Sequence, residues 1–123
     1  MKGYVDLYVL PIPKKNLEAY QKIANKFANI VREHGALEYR EWVGDDLNHK
    51  GMTGFPSKIK VKPGEILISS VVEFKSKAHR DQVNKKIMND ERMKEMINMK
   101  PLFEMKRMMY GGFATIVQMK KAK

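Results

Sequence analysis

Ile66-Leu67-Ile68-Ser69-Ser70-Val71-Val72-Glu73-Phe74, followed at once by Lys75-Ser76, is the stretch that decides how this chain folds. The run is almost continuously apolar, as in a central strand covered on both faces. Ser76 is a good helix N-cap, and Ala78, Val83 and Ile87 then supply the apolar stripe of a helix over residues 77–89. Asn89-Asp90 breaks that helix, and Asp90 can cap a short third helix over 91–98 that Pro101 terminates. A last strand is expected over 108–117, with Gly111-Gly112 at its centre. Glycine inside a strand points to a bulge or to the close approach of another group.

The same order occurs once before. Residues 4–10 alternate as a strand that Pro11 and Pro13 are expected to end, because neither can donate to a ladder. Leu17, Tyr20, Ala24, Phe27 and Val31, widened by Ile23 and Ile30, recur at helical spacing. Gly35 after His34 reads as a left-handed C-terminal cap, and a strand follows over 37–43. Strand-helix-strand twice over predicts an α+β, ferredoxin-like βαββαβ domain with a four-stranded antiparallel sheet, spanning residues 1–123. The helices suffice for one sheet face only. Strands apolar on both faces need a second cover, and another copy of the chain is the simplest one, so an isologous homodimer is expected.

Composition narrows the function classes. Cysteine is absent, which removes disulfides, thiolate metal sites and a cysteine nucleophile. No apolar stretch approaches the ~20 residues that span a bilayer, and the N-terminus lacks the charged, apolar and small-residue pattern of a signal peptide. A cytoplasmic location without membrane contact is the expectation. The net charge of +10 is uneven: residues 1–57 hold eight Lys/Arg against seven Asp/Glu, and 58–123 hold sixteen against seven. Most of the cations are scattered lysines, with short runs at 58–62, 85–86 and 120–123. Such a surface attracts polyanions without directional readout. Nucleic-acid binding through the basic second half is therefore expected to be weak and non-specific. The tail from Lys120 is expected to fray.

The familiar catalytic signatures are missing. There is no phosphate-binding Gly-Lys-Ser/Thr loop, no G-x-S-x-G and no pair of His at helical spacing. No metal and no cofactor are expected. His34 sits at a helix C-terminus, where the dipole favours its cation; His79 lies in the first turn of the second helix and reads as a surface residue, with haem ligation as the sharper alternative. Met93, Met96 and Met99 could hold Cu(I), but methionine more often fills gaps in a core. The loop over 45–64, anchored by Phe55-Pro56, is long for a compact domain.

Polar groups on strands are the stronger signal. Asp6 stands between Tyr4 and Tyr8 on one strand face, Glu41 and Trp42 lie in the second strand, and Arg107 and Tyr110 open the last. A charge buried without a partner costs several kcal/mol, about 3–5 when a pair is broken, so these groups must pair or meet water. Asp6 or Glu41 is the candidate base, and Tyr4, Tyr8, Trp42, Arg107 and Tyr110 are the candidate ligand-positioning residues. The Val5, Leu7, Val9 set is expected beneath the helices. Tyr4, Asp6 and Tyr8 would then face the space between protomers, where Arg107 and Tyr110 approach and Arg107 can pair with Asp6.

Several segments resemble a known family. Tyr4-Val5-Asp6, Gly35-Ala36-Leu37, Ser76-Lys77 with Arg80-Asp81 and Asn84, Asp90-x-Arg92-Met93, and Lys106-Arg107-Met108 with Tyr110-Gly111-Gly112-Phe113 are similar to the YbaA-like family of uncharacterised bacterial proteins. The resemblance covers nearly the whole chain. It implies a ferredoxin-like protomer of the dimeric α/β-barrel superfamily, which includes cofactor-free monooxygenases, haem-degrading enzymes, isomerases and stress-response proteins. It supplies motif positions and no catalytic residues. Three functions follow as expectations: a small-molecule-binding dimer, as a cofactor-independent monooxygenase or isomerase; a non-catalytic ligand-binding or stress-response module; and a weak nucleic-acid binder.

Overall fold

The computed structural model describes residues 2–120. The elements run β1 (Tyr4–Pro13), α1 (Leu17–Glu33), β2 (Glu38–Val43), β3 (Glu65–Phe74), α2 (Lys77–Met88), α3 (Glu91–Ile97) and β4 (Met109–Ala114). The strands form one sheet in the order β2-β3-β1-β4, and every neighbouring pair is antiparallel. This is the ferredoxin-like βαββαβ arrangement.

The helix ends follow from local chemistry. Gly35 has φ of 104°, a left-handed conformation that an L side chain resists, and the Ala36 N–H reaches back to the Val31 carbonyl at 3.0 Å. The Ser76 hydroxyl accepts the His79 N–H at 3.1 Å and starts α2. The Asp90 carboxylate accepts the Arg92 N–H at 2.9 Å and starts α3, while His34 Nε2 meets its second oxygen at 2.8 Å. One carboxylate thus ties the end of α1 to the start of α3. On α2 the buried positions are Val83 and Ile87, and one turn back the stripe continues through His79 and Arg80 while Ala78 is exposed. Ala78 is five residues before Val83, which places it off that face.

Two strand ends differ from expectation. β1 continues through Pro11 and Pro13, which lie opposite Leu67 and Glu65. β4 reaches only as far as Val9. Beyond it, the alternate positions of β1 that would face β4 have no neighbouring strand, so proline there forfeits no ladder bond. β4 stops at Ala114 because β1 begins at Tyr4, and the Thr115 N–H to Gly3 carbonyl bond at 3.1 Å is the final link. Ile116 and Val117 are 82 % exposed. The basic run after Lys120 lies outside the described residues.

The facing of β1 is the reverse of the expectation. Tyr4, Asp6, Tyr8 and Leu10 point toward α1 and α2, in register with Phe74, Val72, Ser70 and Ile68. Val5, Leu7 and Val9 occupy the helix-free face. Period-two alternation separates two faces without ranking them; the bulkier set lies under the helices because it is that set whose β3 partners include the buried Phe74, Val72 and Ile68. Two buried clusters result. Ile30, Val31, Val72, Phe74, Val83 and Ile87 form one, and Leu10, Ile12 and Ile68 form the other. On the opposite face the 45–64 loop brings Leu47 and Phe55 near Leu67 and Val9.

Candidate functional site: a cavity beneath the helices

A cavity of about 430 Å3 opens on the helix side of the sheet. Its floor is Tyr8, Leu10, Tyr39, Glu41 and Ser70 from three strands. α1 contributes Tyr20, Ile23, Ala24 and Phe27, and α3 with the following loop contributes Met93, Met96, Met99, Phe103, Met105 and Met108. That loop is pinned on both sides. Asn16 Nδ2 donates to the Leu102 carbonyl at 2.9 Å. Arg107 donates to both Glu65 oxygens at 2.6 and 2.7 Å and to the Lys60 carbonyl at 2.5 Å. The guanidinium and the Lys62 N–H push the Glu65 carboxyl down to about 2.

Glu41 is the carboxylate of the cavity. It stands opposite Ser70, which in turn stands opposite Tyr8. The Tyr20 hydroxyl donates to Glu41 Oε1 and the Tyr39 hydroxyl to Oε2. Burial, and then the bond to Glu41 and its charge, pushes both phenols above their ordinary 10 and keeps them protonated. The Tyr8 phenol is raised mainly by burial and next by the charge of Asp6. Among the described residues no Lys, Arg or His nitrogen lies within 4.0 Å of the Glu41 oxygens.

Asp6 has a different setting. It is fully buried. Arg80 Nη1 donates to it at 2.6 Å, the Tyr110 hydroxyl at 2.9 Å and Asn84 Nδ2 at 3.4 Å. Arg80 also lies 5.0 Å from the Tyr4 ring centroid, and its Nε donates to Asp81 at 2.7 Å. A Cβ on Gly112 would overlap the Tyr4 hydroxyl, so the glycine serves close approach rather than a bulge. Asp6, Arg80, Asn84, Tyr110 and Gly112 come from three of the family-like segments and meet in one closed knot.

The candidate residues therefore separate. Glu41 and Tyr8 line the cavity. Asp6, Tyr4 and Tyr110 belong to the knot, and the cation that meets Asp6 is Arg80, not Arg107, which lies at the start of β3 with Glu65. Trp42 is on the helix-free face with the Arg40 guanidinium 5.2 Å from its ring centroid. Tyr4, Tyr8 and Tyr110 are on the helix side and offer no platform on the open face. His79 Nδ1 accepts the Lys75 N–H at 3.0 Å, and Met93 and Met96 pack against the core. Helical spacing puts Tyr20 on the apolar stripe of α1 without singling out its hydroxyl, and Tyr39 shares only a strand face with Glu41. A tyrosine at a helix-stripe position opposite a strand carboxylate was the available signal.

The described fold and cavity define an α+β, ferredoxin-like protein with a pocket between sheet and helices. The chain belongs to the family described as "Protein of unknown function (DUF1428)", which matches residues 3–105. It is 39 % identical over 114 residues to "Uncharacterized protein YbaA" of Escherichia coli (strain K12), a match covering 93 % of this chain and 97 % of that protein. YbaA proteins of Escherichia coli O157:H7 and Shigella flexneri match equally. A solved structure described as a dimeric ferredoxin-like protein from an uncultured marine organism aligns over 98 % of this chain and 100 % of that one, with a TM-score of 0.52 and 8 % identity. That likeness shows the fold. No helix among the described residues is long and apolar enough to cross a membrane.

Proposed function

We propose that this chain is a single-domain, cytoplasmic protein that binds a small organic molecule in the cavity and does so as a homodimer. The observation that carries the binding reading is the cavity itself, about 430 Å3 with apolar walls and one carboxylate held between two phenols. Ligand pockets are built this way, with a few placed polar groups in an apolar lining and volumes of ~300–1,000 Å3. The dimer rests on the helix-free face, where Val5, Leu7, Val9 and Val71 are only half-buried and Trp42, Met109 and Phe113 are exposed. A contiguous apolar patch on that scale calls for a partner surface. The dimeric description of the marine ferredoxin-like protein supports a second copy as that partner.

Turnover as a cofactor-independent oxygenase or isomerase would fall to Glu41, since Arg80 and Tyr110 close Asp6 off. Both Glu41 oxygens already accept a phenolic hydrogen. That suits anchoring a ligand better than removing a proton from one, so binding is the better-supported function. The neutral dye prodan tests it. Its emission should shift to the blue with wild-type protein and stay unshifted with Ala24→Trp, whose indole would fill the cavity. Equal shifts for both proteins, or none for either, would remove the cavity from consideration. Light scattering should give twice the chain mass for wild type and the chain mass for Leu7→Arg; a wild-type monomer at micromolar concentration would exclude the dimer.

A further inference from the structure

We infer that the cavity selects a ligand with a cationic amine head and an apolar body; this rests on the cavity being a binding site. Glu41 is half-buried, faces the cavity and has no cation within 4.0 Å among the described residues. On the same helix-covered face the other strand carboxylate, Asp6, is paired with Arg80, and Glu65 at the start of β3 is paired with Arg107; Glu73, half-buried opposite Val5, lies on the helix-free face away from the cavity. A carboxylate in an apolar lining is costly until a charge partner arrives. Its two phenols are both donors that stay protonated, so they add no positive charge and leave that deficit in place.

The surrounding walls suit an ammonium group. Tyr8, Tyr20, Tyr39, Phe27 and Phe103 present aromatic rings to the same cavity. A cation within ~6 Å of such a ring is attracted by the negative face of its π-system. A neutral hydroxyl head would donate to the carboxylate but bring no charge to neutralise it, and a carboxylate head would be repelled. The protein as a whole carries +10. Its long-range field attracts anions, and the exposed Lys100 on the cavity lining adds a further positive charge, so a preference for a cation must originate at Glu41 against both.

Calorimetric titration of the full-length protein at neutral pH with 2-phenylethylamine, 2-phenylethanol and 3-phenylpropionate tests this. The amine should bind about tenfold or more tightly than the alcohol, a difference of ~1.4 kcal/mol, and the acid should bind weakest. Glu41→Gln should cut the amine's advantage to about twofold or less while leaving the alcohol's affinity in place. Tyr20→Phe frees one carboxylate oxygen and keeps the charge, so it should retain the amine preference even if Glu41→Gln fails to fold. An alcohol or acid that binds as tightly as the amine overturns the inference and leaves the pocket reading standing. So does an amine preference that survives in folded Glu41→Gln, or one lost in folded Tyr20→Phe. If none of the three compounds binds wild type, the pocket reading falls together with the inference.

Discussion

Asp6 and Glu41 stand one row apart on the same face of one sheet, yet the chain treats them oppositely. Asp6 sits on central strand β1 opposite Val72, whose other neighbour is Tyr39; Glu41 sits on edge strand β2 opposite Ser70, whose other neighbour is Tyr8. α2 places a guanidinium and an amide over Asp6 and closes it from water. α1 places only a phenol over Glu41, and the loop after α3 roofs the remaining space without filling it. A buried charge met by a full set of donors specifies a fold. A carboxylate met by hydroxyls and left beside a cavity keeps capacity for a ligand. The lesson is that the donors supplied by the covering helix, and not burial of the acid alone, separate a structural carboxylate from a candidate binding one.

The largest effect should come from opening the knot. Arg80→Met leaves the Asp6 charge buried without its cation and should cost about 3–5 kcal/mol in urea unfolding. Adding Asp6→Asn to it should restore part of that loss. A cost below ~1 kcal/mol would erase the distinction between the two carboxylates. Gly112→Ala should cost ~1–3 kcal/mol by pushing Tyr4 off the Arg80 guanidinium, with the loss visible in the same unfolding curves.

The third test reads the cavity side in alkali. Folding raises Tyr20 and Tyr39 above 10 by burial and by Glu41, so stability from these phenols is complete below ~10 and falls as pH rises past it. Near-ultraviolet titration should show Tyr20 and Tyr39 ionising only as the protein unfolds. Tyr20→Phe should soften the alkaline loss of stability. Ionisation of all five tyrosines near pH 10 in the folded protein would contradict the buried setting of the Tyr20 and Tyr39 phenols on Glu41. The smallest effect belongs to Glu41→Gln. Its amide keeps an acceptor for one phenol and a donor for the other, so unfolding stability should change by about 1 kcal/mol or less, well below the Arg80→Met loss.

The fold was legible from the repeated strand-helix-strand order and from caps at Gly35, Ser76 and Asp90, because each of those signals acts over a few residues. The candidate site was legible in part. Glu41 and Tyr8 stood out as polar or amphipathic groups within strands, while Tyr20 and the methionines of the roof looked like ordinary core. Arg107 looked like a partner for Asp6 from strand adjacency, but its long side chain found Glu65 and the Lys60 carbonyl at the end of β3. Pro11 and Pro13 looked like stops because proline loses a donor, and the length of β4 made that loss harmless.

By itself the sequence determined the element order, the antiparallel ferredoxin-like sheet, the helix ends and the absence of cysteine chemistry. Hydrophobic period and capping residues carry that information locally. Only the tertiary structure decided which face of β1 lies beneath the helices, which cation meets Asp6 and where space is left unfilled. Those outcomes depend on contacts between residues far apart in the chain, Asp6 with Arg80 and Glu41 with Tyr20 among them. Alternation along a strand is symmetric between its two faces, and only packing against a helix breaks that symmetry.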